Sequence, residues 1–237
     1  MNEPRATLRP DWPAGWHVHV VDETGSTNAD LLEAARAGAP DRTVLTARHQ
    51  TAGRGRLDRR WEAPPGANLL VSLLFRTVPA LPHELTRRVG LAAVVAAERV
   101  AGAHAGLKWP NDVMVGDAKL AGILAEADLS NREPVVVVGM GMNVGWAPEG
   151  AARLGASVDP LAVLHALLTA LDELPADTEP LYRSRLATLG RTVRVELPGG
   201  ETCEGRAIDV ERDGRLVVLD ECGISHRFDV GDVVHVR

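Results

Sequence analysis

The chain has 237 residues, of which 45% are hydrophobic and 24% charged, a balance typical of one large globular domain or one domain with a small appendage. Its net charge of -6 argues against nucleic acid as the main partner, and no apolar run reaches the roughly 18 residues of a membrane span. Because Cys203 and Cys222 are the only cysteines, a disulfide scaffold and a four-cysteine zinc site are excluded, and we expect a cytoplasmic protein.

Hydrophobic periodicity predicts an N-terminal body that mixes strands and helices. Strands are predicted at 17–21, 43–47, 68–75, 107–109, 113–115, 120–125 and 135–138. Helices are predicted at 28–35, 85–100, 161–174 and 181–189. We therefore predict an α+β domain, built on a mixed β-sheet packed with helices, over residues 1–189.

The sequence pattern changes after Gly190. Short alternating strands follow, separated by turns that contain glycine, and this pattern predicts a small antiparallel barrel. The strands are predicted at 193–197, 207–211, 216–219, 226–230 and 233–236. Residues 190–237 are thus expected to form a second, all-β domain.

Residues 51–61 form a predicted loop rich in Gly and Arg, with four Arg and one Asp between Arg54 and Arg60. Glycines let a backbone approach a ligand closely, and guanidinium groups fork onto phosphate or carboxylate oxygens. No Gly-Lys-Ser/Thr follows, so the loop is not a P-loop. The loop indicates a site for a small anion, in which case we expect it to become ordered when the ligand binds. The alternatives are a solvated basic turn and a basic segment that binds RNA.

Lysine occupies only two of the 26 basic positions, Lys108 and Lys119. Lys108 opens the motif Lys-Trp-Pro-Asn-Asp, which places Asn111 and Asp112 at a strand end, within reach of a ligand or metal ion. Lys119 begins an apolar strand, where a compact ammonium suits charge that develops during a reaction. The alternatives are an Asx turn at 111–112 and a surface lysine whose stem lies along apolar residues.

Two further motifs are ambiguous by themselves. Ser26 and Thr27 before a helix are typical caps, although helix N-termini also bind ligands. Residues 139–145 are rich in glycine but lack the spacing and the following helix of a dinucleotide-binding fingerprint. These glycines leave room for a flat ligand beside a strand, with the Asn143 amide at its edge. The eight histidines have no metal-ligand spacing, which argues against a built-in zinc site.

The order of the motifs is more specific than any one of them. Gly-Ser-Thr-Asn, Gln-Thr-Ala-Gly-Arg-Gly-Arg, Lys-Trp-Pro-Asn-Asp, Lys-Leu-Ala-Gly-Ile-Leu and Gly-Met-Gly-Met-Asn follow one another in the chain. In this order they resemble the biotin protein ligases, over essentially the whole chain and including a C-terminal SH3-like barrel. The resemblance implies an enzyme that joins biotin to ATP, giving biotinyl-5′-AMP and pyrophosphate. It then passes biotin to a lysine on the biotin carboxyl carrier domain of a biotin-dependent carboxylase.

The resemblance also implies roles for individual residues. Lys119 and Arg54 are the expected catalytic residues, with Lys119 contacting the biotin carboxylate and the α-phosphate. The residues expected to bind biotin are Ser26, Thr27, Asn28, Gln50, Arg54, Gly55, Arg56, Lys119, Gly122 and Leu124. Those expected to bind the nucleotide are Arg56, Arg59, Trp61, Lys108, Asn111 and Asn143. Asp112 is the expected ligand of the Mg²⁺ that accompanies ATP.

Some members of this family carry an N-terminal helix-turn-helix and repress transcription. Only about 16 residues precede the first predicted strand, fewer than a helix-turn-helix module needs, so we expect a monofunctional ligase. We expect no nucleic-acid or membrane partner, and a monomer or weak homodimer. Leu57 and Asp58 make the arginine loop less basic than a fully Gly/Arg version, which bears on how tightly the loop closes.

Three other functions stay open on the sequence. A lipoate or octanoate ligase of the same superfamily would bind a long apolar chain and would not need Ser26, Thr27 and Gln50 for a ureido group. A nucleic-acid-binding regulator would use the arginine loop and would show steeply salt-dependent binding. A non-catalytic biotin sensor is disfavoured by the intact Lys119.

Overall fold

The structure, a computed structural model, describes residues 11–57, 59–128, 134–229 and 231–236, which form two sheets and four helices. The strands of the larger sheet are β1 (His17–Thr24), β2 (Thr43–Gln50), β3 (Leu69–Phe75), β4 (Ala105–Lys108), β5 (Asp112–Val115), β6 (Ala118–Asp128) and β7 (Val135–Met142). The helices are α1 (Thr27–Arg36), α2 (His83–Ala101), α3 (Pro160–Glu173) and α4 (Glu179–Arg185). None of the helices in the described ranges is both long and apolar enough to cross a membrane.

The larger sheet is mixed, which confirms the predicted fold class. Its strand order is β1-β2-β3-β7-β6-β5-β4, with β1 and β2 parallel and the other neighbours antiparallel. Successive side chains of a strand point to opposite faces, so Leu73 packs in the core beneath α2 and α3, whereas Leu74 packs under α1. The sheet thus carries α1 on one face and the α2–α3 pair on the other.

Helix α2 forms as its amphipathic pattern predicts, despite Gly90 in its middle. A Cβ at Gly90 would lie 3.1 Å from Leu107 Cδ2 and 3.4 Å from Ile123 Cδ1. Glycine therefore lets the helix approach β4 and β6 closely. The helix ends at Gly102, whose φ of 60° is the left-handed conformation that favours glycine.

Strand β7 extends further than predicted. The expected strand stopped at residue 138, but β7 continues to Met142 with Gly139 and Gly141 inside the ladder. Gly139 pairs with Leu124 of β6, and Gly141 pairs with Gly122. Because alternate residues of a strand share a face, Gly139 and Gly141 both lie on the α1 face of the sheet. No side chain of β7 covers the sheet at these two positions.

The smaller sheet follows residue 190. Its strands are β8 (Thr192–Glu196), β9 (Thr202–Val210), β10 (Leu216–Leu219), β11 (Ser225–Phe228) and β12 (Asp232–His235), all antiparallel in the order β11-β10-β9-β8-β12. This confirms the predicted antiparallel module, although Val230, placed in its fourth strand by prediction, lies outside the described residues. Closure of the sheet into an SH3-like barrel stays a prediction. Trp109 Nε1 donates to Gly214 O at 2.9 Å and so joins the two sheets.

Candidate active site

A cavity of about 400 Å³ lies on the α1 face of the larger sheet. Its floor is a strip of three glycines, Gly122 on β6 and Gly139 and Gly141 on β7. A Cβ at Gly141 would lie 2.3 Å from Trp61 Cε2, and a Cβ at Gly139 would lie 2.1 Å from Asn28 Oδ1. The strip must therefore be glycine for the Trp61 indole and the Asn28 amide to rest on the sheet.

All but one of the predicted site residues line this cavity. They are Ser26, Thr27, Asn28, Gln50, Arg54, Gly55, Arg56, Arg59, Trp61, Asn111, Asp112, Lys119, Gly122, Leu124 and Asn143. They come from the start of α1, the end of β2, the arginine loop, the β5–β6 hairpin and the end of β7. The fold thus brings together motifs that are distant in the sequence, while their individual contacts with a ligand stay predictions.

Lys108 is the exception. It lies on β4, the edge strand beyond β5, and lines a separate cavity of about 240 Å³ with Arg191 and His235. Burial, then the charges of Arg191 and Lys108, lower the pKa of His235. The structure therefore separates Lys108 from the main cavity, because an edge-strand side chain reaches toward the smaller sheet instead. The predicted role of Lys108 in binding nucleotide has no support from this geometry.

The arginine loop folds back on itself as an irregular hairpin. Trp61 N donates to Gly53 O at 3.0 Å, and Gly55 N donates to Arg59 O at 2.6 Å. A Cβ at Gly53 would lie 2.4 Å from Trp61 O, so the two arms can meet only at a glycine. Asp58, predicted to moderate the charge of the loop, lies outside the described residues. These backbone hydrogen bonds thus determine how far the loop lies from the floor of the cavity.

Arg56 and Arg59 of the loop contact residues near or on the smaller sheet. Arg56 Nη1 donates to Asn111 Oδ1 at 3.2 Å and to Gly231 O at 3.4 Å, and Arg59 forms an ion pair with Asp232. Burial lowers the pKa of the Arg56 guanidinium and the Asp232 carboxylate opposes this shift, so the group stays charged at neutral pH. Asp232 also lines the cavity, so the smaller sheet supplies part of the site.

Lys119 stands near the centre of the cavity, on β6. Its Nζ lies 2.7 Å from Asp112 Oδ1 and 5.7 Å from the centroid of the Trp61 ring. The side chain is 40% exposed, so the ammonium also faces the open part of the cavity. In the described ranges, Asp112 Oδ1 and Trp61 Nε1 are buried without a well-formed hydrogen bond. Neither atom is exposed to the cavity, so a ligand beside Lys119 meets the ammonium first.

A polar wall closes the end of the cavity at the start of α1. Ser26 has the extended backbone of an N-cap residue, but its side chain makes no capping hydrogen bond. Ser26 thus occupies the N-cap position of α1, while its hydroxyl group remains available to a ligand in the cavity. Gln50 Oε1 accepts from Thr27 N at 2.7 Å, which orients the amide so that its Nε2 remains a donor. The wall can therefore bind a polar head group with both donors and acceptors.

The side-chain amide of Asn143 makes hydrogen bonds to the protein that the sequence did not predict. It is 3% exposed, and its Nδ2 donates to Lys119 O at 3.3 Å and to Ala152 O at 3.0 Å. Both amide hydrogens are therefore used to join the start of β6 to the segment after β7. The predicted contact of Asn143 with adenine can involve only its oxygen, which Asn68 already approaches at 3.4 Å.

The sequence prediction also missed polar residues in the site or directly beside it, among them Ser72, Glu126 and Asp232, as well as Arg60 and Glu62, which line the cavity. Ser72 and Glu126 lie on the α1 face beside the glycine strip, and Asp232 comes from β12. Strand alternation beyond Gly122 and Leu124 would have placed Glu126 on the same face. Ser72 and Asp232 depend on the order of the strands, for which the sequence carries no local signal.

Fold and site define the class of protein to which the chain belongs. Residues 20–143 match the profile of the Biotin/lipoate A/B protein ligase family, and residues 188–236 match the Biotin protein ligase C terminal domain. The chain is 42% identical to the biotin–[acetyl-CoA-carboxylase] ligase of Mycobacterium tuberculosis, over 94% of this chain and 91% of that protein. It belongs to the biotin protein ligase family, as the order of its motifs predicted.

Further comparisons agree with this assignment. The bifunctional ligase/repressor BirA of Bacillus subtilis is 29% identical, over 89% of this chain and 72% of that protein. The biotin protein ligase of Aquifex aeolicus, solved in complex with biotin and ATP, is 26% identical with a TM-score of 0.75. That match covers 93% of this chain and 99% of the Aquifex chain.

Proposed function

We propose that this chain is a biotin–[acetyl-CoA-carboxylase] ligase. It joins biotin to ATP, releases pyrophosphate, and transfers biotin from biotinyl-5′-AMP to a lysine on a biotin carboxyl carrier domain. The observation that carries this proposal is the convergence of Lys119, the arginine loop and the polar wall on one cavity. The activity named for the Mycobacterium relative and the biotin and ATP bound to the Aquifex enzyme support it.

The first step brings two anions together. A biotin carboxylate oxygen bonds to the α-phosphorus of ATP while the bond to the pyrophosphate group breaks. The repulsion between carboxylate and phosphate must be offset by positive charge already in place, which Lys119, Arg54 and Arg56 provide. In the second step the amine of the carrier lysine attacks the acyl carbon, and AMP leaves. Lys119 can stabilise the departing phosphate oxygen without changing position.

Mg²⁺ is the cation that we expect to enter with ATP, where it would neutralise phosphate charge. Asp112 would hold this ion, because it lines the cavity and a carboxylate is a ligand that Mg²⁺ prefers; its Oδ1 already pairs with the Lys119 ammonium at 2.7 Å, so the other carboxylate oxygen would be the ligand. No cluster of three or more His, Cys, Asp or Glu occurs in the described parts of the chain. The described residues thus offer no complete set of ligands, and phosphate oxygens and water would complete the shell around an ion held by Asp112.

The polar wall favours biotin over lipoate. A ureido group has one carbonyl and two N–H groups, and once buried each of them needs a partner. Ser26, Thr27 and Gln50 supply such partners, whereas a long apolar acyl chain would leave them without one. The match of residues 188–236 to the biotin protein ligase C-terminal domain points the same way.

Replacing Gln50 by methionine is expected to weaken biotin binding at least about tenfold, because a buried head group loses its amide partner. ATP binding should be nearly unchanged. Gln50→Glu is the matched variant, since it keeps the oxygen that accepts from Thr27 N but loses the Nε2 donor. Calorimetry should show weaker biotin binding in both variants and a lower melting temperature only with methionine. Unchanged biotin affinity in both would mean that the head group binds elsewhere.

Asp232→Asn is expected to raise the KM for ATP about two- to fivefold, because Arg59 loses its ion-pair partner. Its partner Arg59 is 63% exposed, and an exposed ion pair contributes at most about 1 kcal/mol. Steady-state kinetics with ATP and biotin varied separately measures the change. Glu204→Gln, which removes the Arg194–Glu204 pair on the same sheet, is the control and should change neither constant. An unchanged KM for ATP with Asp232→Asn would separate the smaller sheet from nucleotide binding.

We also propose how the chain is organised. The two family matches, over 20–143 and 188–236, support a catalytic domain at 1–189 and a second domain at 190–237. Cys203 and Cys222 are both free, which supports a reducing cytoplasmic location. A monomer or weak homodimer remains our expectation, to be measured by sedimentation.

The proposed activity is tested by incubating the protein with radiolabelled ATP, an acceptor domain and either biotin or lipoate. We expect pyrophosphate release and acceptor labelling with biotin alone. Labelling with lipoate alone would identify a lipoate ligase, and tight, salt-sensitive binding of nucleic acid without labelling would favour a regulator.

A further inference from the structure

Glu126 joins the arginine loop to helix α1. Its Oε2 accepts from Arg54 Nη2 at 2.9 Å and from Asn28 Nδ2 at 2.7 Å. Glu126 lies on β6, two residues after Leu124 and on the same face of the sheet. It does not line the cavity itself, so any influence on a ligand acts through Arg54 and Asn28.

The hydrogen bonds of Asn28 have a fixed direction. Its Nδ2 faces two acceptors, Leu124 O at 3.2 Å and Glu126, so its Oδ1 must be the atom that accepts from Ser72 Oγ at 2.6 Å. Ser72 Oγ also donates to Thr27 Oγ1 at 2.7 Å, and the Thr27 hydroxyl in turn donates to Gln50 Oε1 at 3.0 Å. The single hydroxyl hydrogen of Ser72 is thus shared between Asn28 Oδ1 and Thr27 Oγ1.

These bonds form one continuous chain from the polar wall to the arginine loop. It runs from Thr27 through Ser72, Asn28 and Glu126 to Arg54. Thr27, Ser72 and Asn28 are 3%, 0% and 5% exposed, so water cannot replace a bond that is lost there. A displacement at either end must therefore be followed by the other end or leave buried polar groups without partners.

We propose that Glu126 is a positioning residue that couples the biotin-binding wall to the closed position of the arginine loop. This inference rests on the proposed function. The Glu126 carboxylate holds Arg54 over the cavity. Asn28 fixes the position of that carboxylate, and Asn28 belongs to the segment of α1 that would bind the head group. When this link is broken, the loop opens more often and biotinyl-5′-AMP dissociates before transfer.

A merely structural Glu126 would behave differently. Arg54 and Glu126 are 47% and 25% exposed, and such an ion pair adds little to the free energy of unfolding. A structural role thus predicts at most a small drop in melting temperature and unchanged retention of the adenylate. A positioning role predicts faster dissociation of the adenylate with little loss of stability.

The test uses Glu126→Gln in the full chain. We expect labelled biotinyl-5′-AMP to dissociate about tenfold faster than from the wild-type enzyme, with KM for biotin raised more than kcat is lowered. For this dissociation rate, Arg54→Gln should have a similar effect, and the double variant should be no worse than either single variant, because one link is broken in all three. Arg54→Gln should also slow adenylate formation, because Arg54 supplies charge to the first step, so its kcat is not compared. Glu173→Gln, which removes the exposed Arg99–Glu173 pair, is the matched control and should retain the adenylate normally.

A wild-type dissociation rate in Glu126→Gln, or additive effects in the double variant, would overturn the coupling. If Glu126→Gln does not fold, hydrogen exchange of Arg54→Gln decides the matter. The coupling predicts faster exchange at the start of α1 as well as in the loop, and unchanged exchange at Thr27 contradicts it. Hydrogen exchange needs no ligand, so a wild-type protein that fails to form biotinyl-5′-AMP would refute the proposed function and leave this arm valid.

Discussion

Replacing Lys119 by alanine is expected to slow formation of biotinyl-5′-AMP at least about a hundredfold, while the protein stays folded and still binds biotin. The Lys119 ammonium is the single compact cation at the centre of the cavity, 2.7 Å from the Asp112 carboxylate. Without it, the carboxylate and the α-phosphate meet with less positive charge between them. The neighbouring guanidinium groups do not replace it, because a planar fork on the loop cannot occupy the place of an ammonium on β6.

The chain contains its own control for this experiment. Lys108 is the only other lysine, and the structure places it in a different cavity. Lys108→Ala should therefore leave adenylate formation within about twofold of wild type, whereas a role in phosphate binding would slow it strongly. Rapid-quench measurement of single turnovers separates this step from product release. A wild-type rate in Lys119→Ala would remove Lys119 from the mechanism.

Gly141→Ala should reduce kcat/KM for biotinylation roughly a hundredfold, since displacing groups in an active site by about 1 Å can cost that much. The added Cβ would lie 2.3 Å from Trp61 Cε2, so the rigid indole must leave the glycine strip. The indole stands beside Lys119, and the arginine loop is attached to Trp61 by its backbone. The whole arginine loop would therefore lie farther from the floor of the cavity.

Gly199→Ala is the matched control, because its added Cβ meets nothing within 4 Å. It should keep wild-type activity and stability. Melting curves of Gly141→Ala should show a loss of stability far smaller than its loss of activity. Wild-type kcat/KM in Gly141→Ala would mean that the position of Trp61 is unimportant for the reaction.

Much of the site followed from the sequence because its motifs are local. The loop that carries Arg54 and Arg56 and the start of the strand at Lys119 are each a short run with one chemical meaning. Their convergence was implied by the resemblance to a family, not by spacing. The Ser26–Thr27 motif stayed ambiguous because a local pattern shows a cap position but cannot show that the Ser26 side chain makes no capping bond.

Strand order, for which the sequence has no local signal, separates residues that the motifs group together. Lys108 was grouped with Asn111 and Asp112 because it is close in sequence, but β4 is an edge strand and carries Lys108 away. Conversely, Ser72 and Glu126 are remote in sequence and meet through Asn28 on one face of the sheet. The Asn143 amide shows a third limit, because a motif identifies a polar residue without revealing that protein atoms already use its hydrogens.

The most direct test is a crystal structure of the protein with biotin and a stable ATP analogue. A carboxyl oxygen of biotin should lie about 3 Å from Lys119 Nζ, the ureido group should meet Gln50, and the arginine loop should cover both ligands. Biotin bound far from that amine, beneath an open loop that touches neither ligand, would contradict this account.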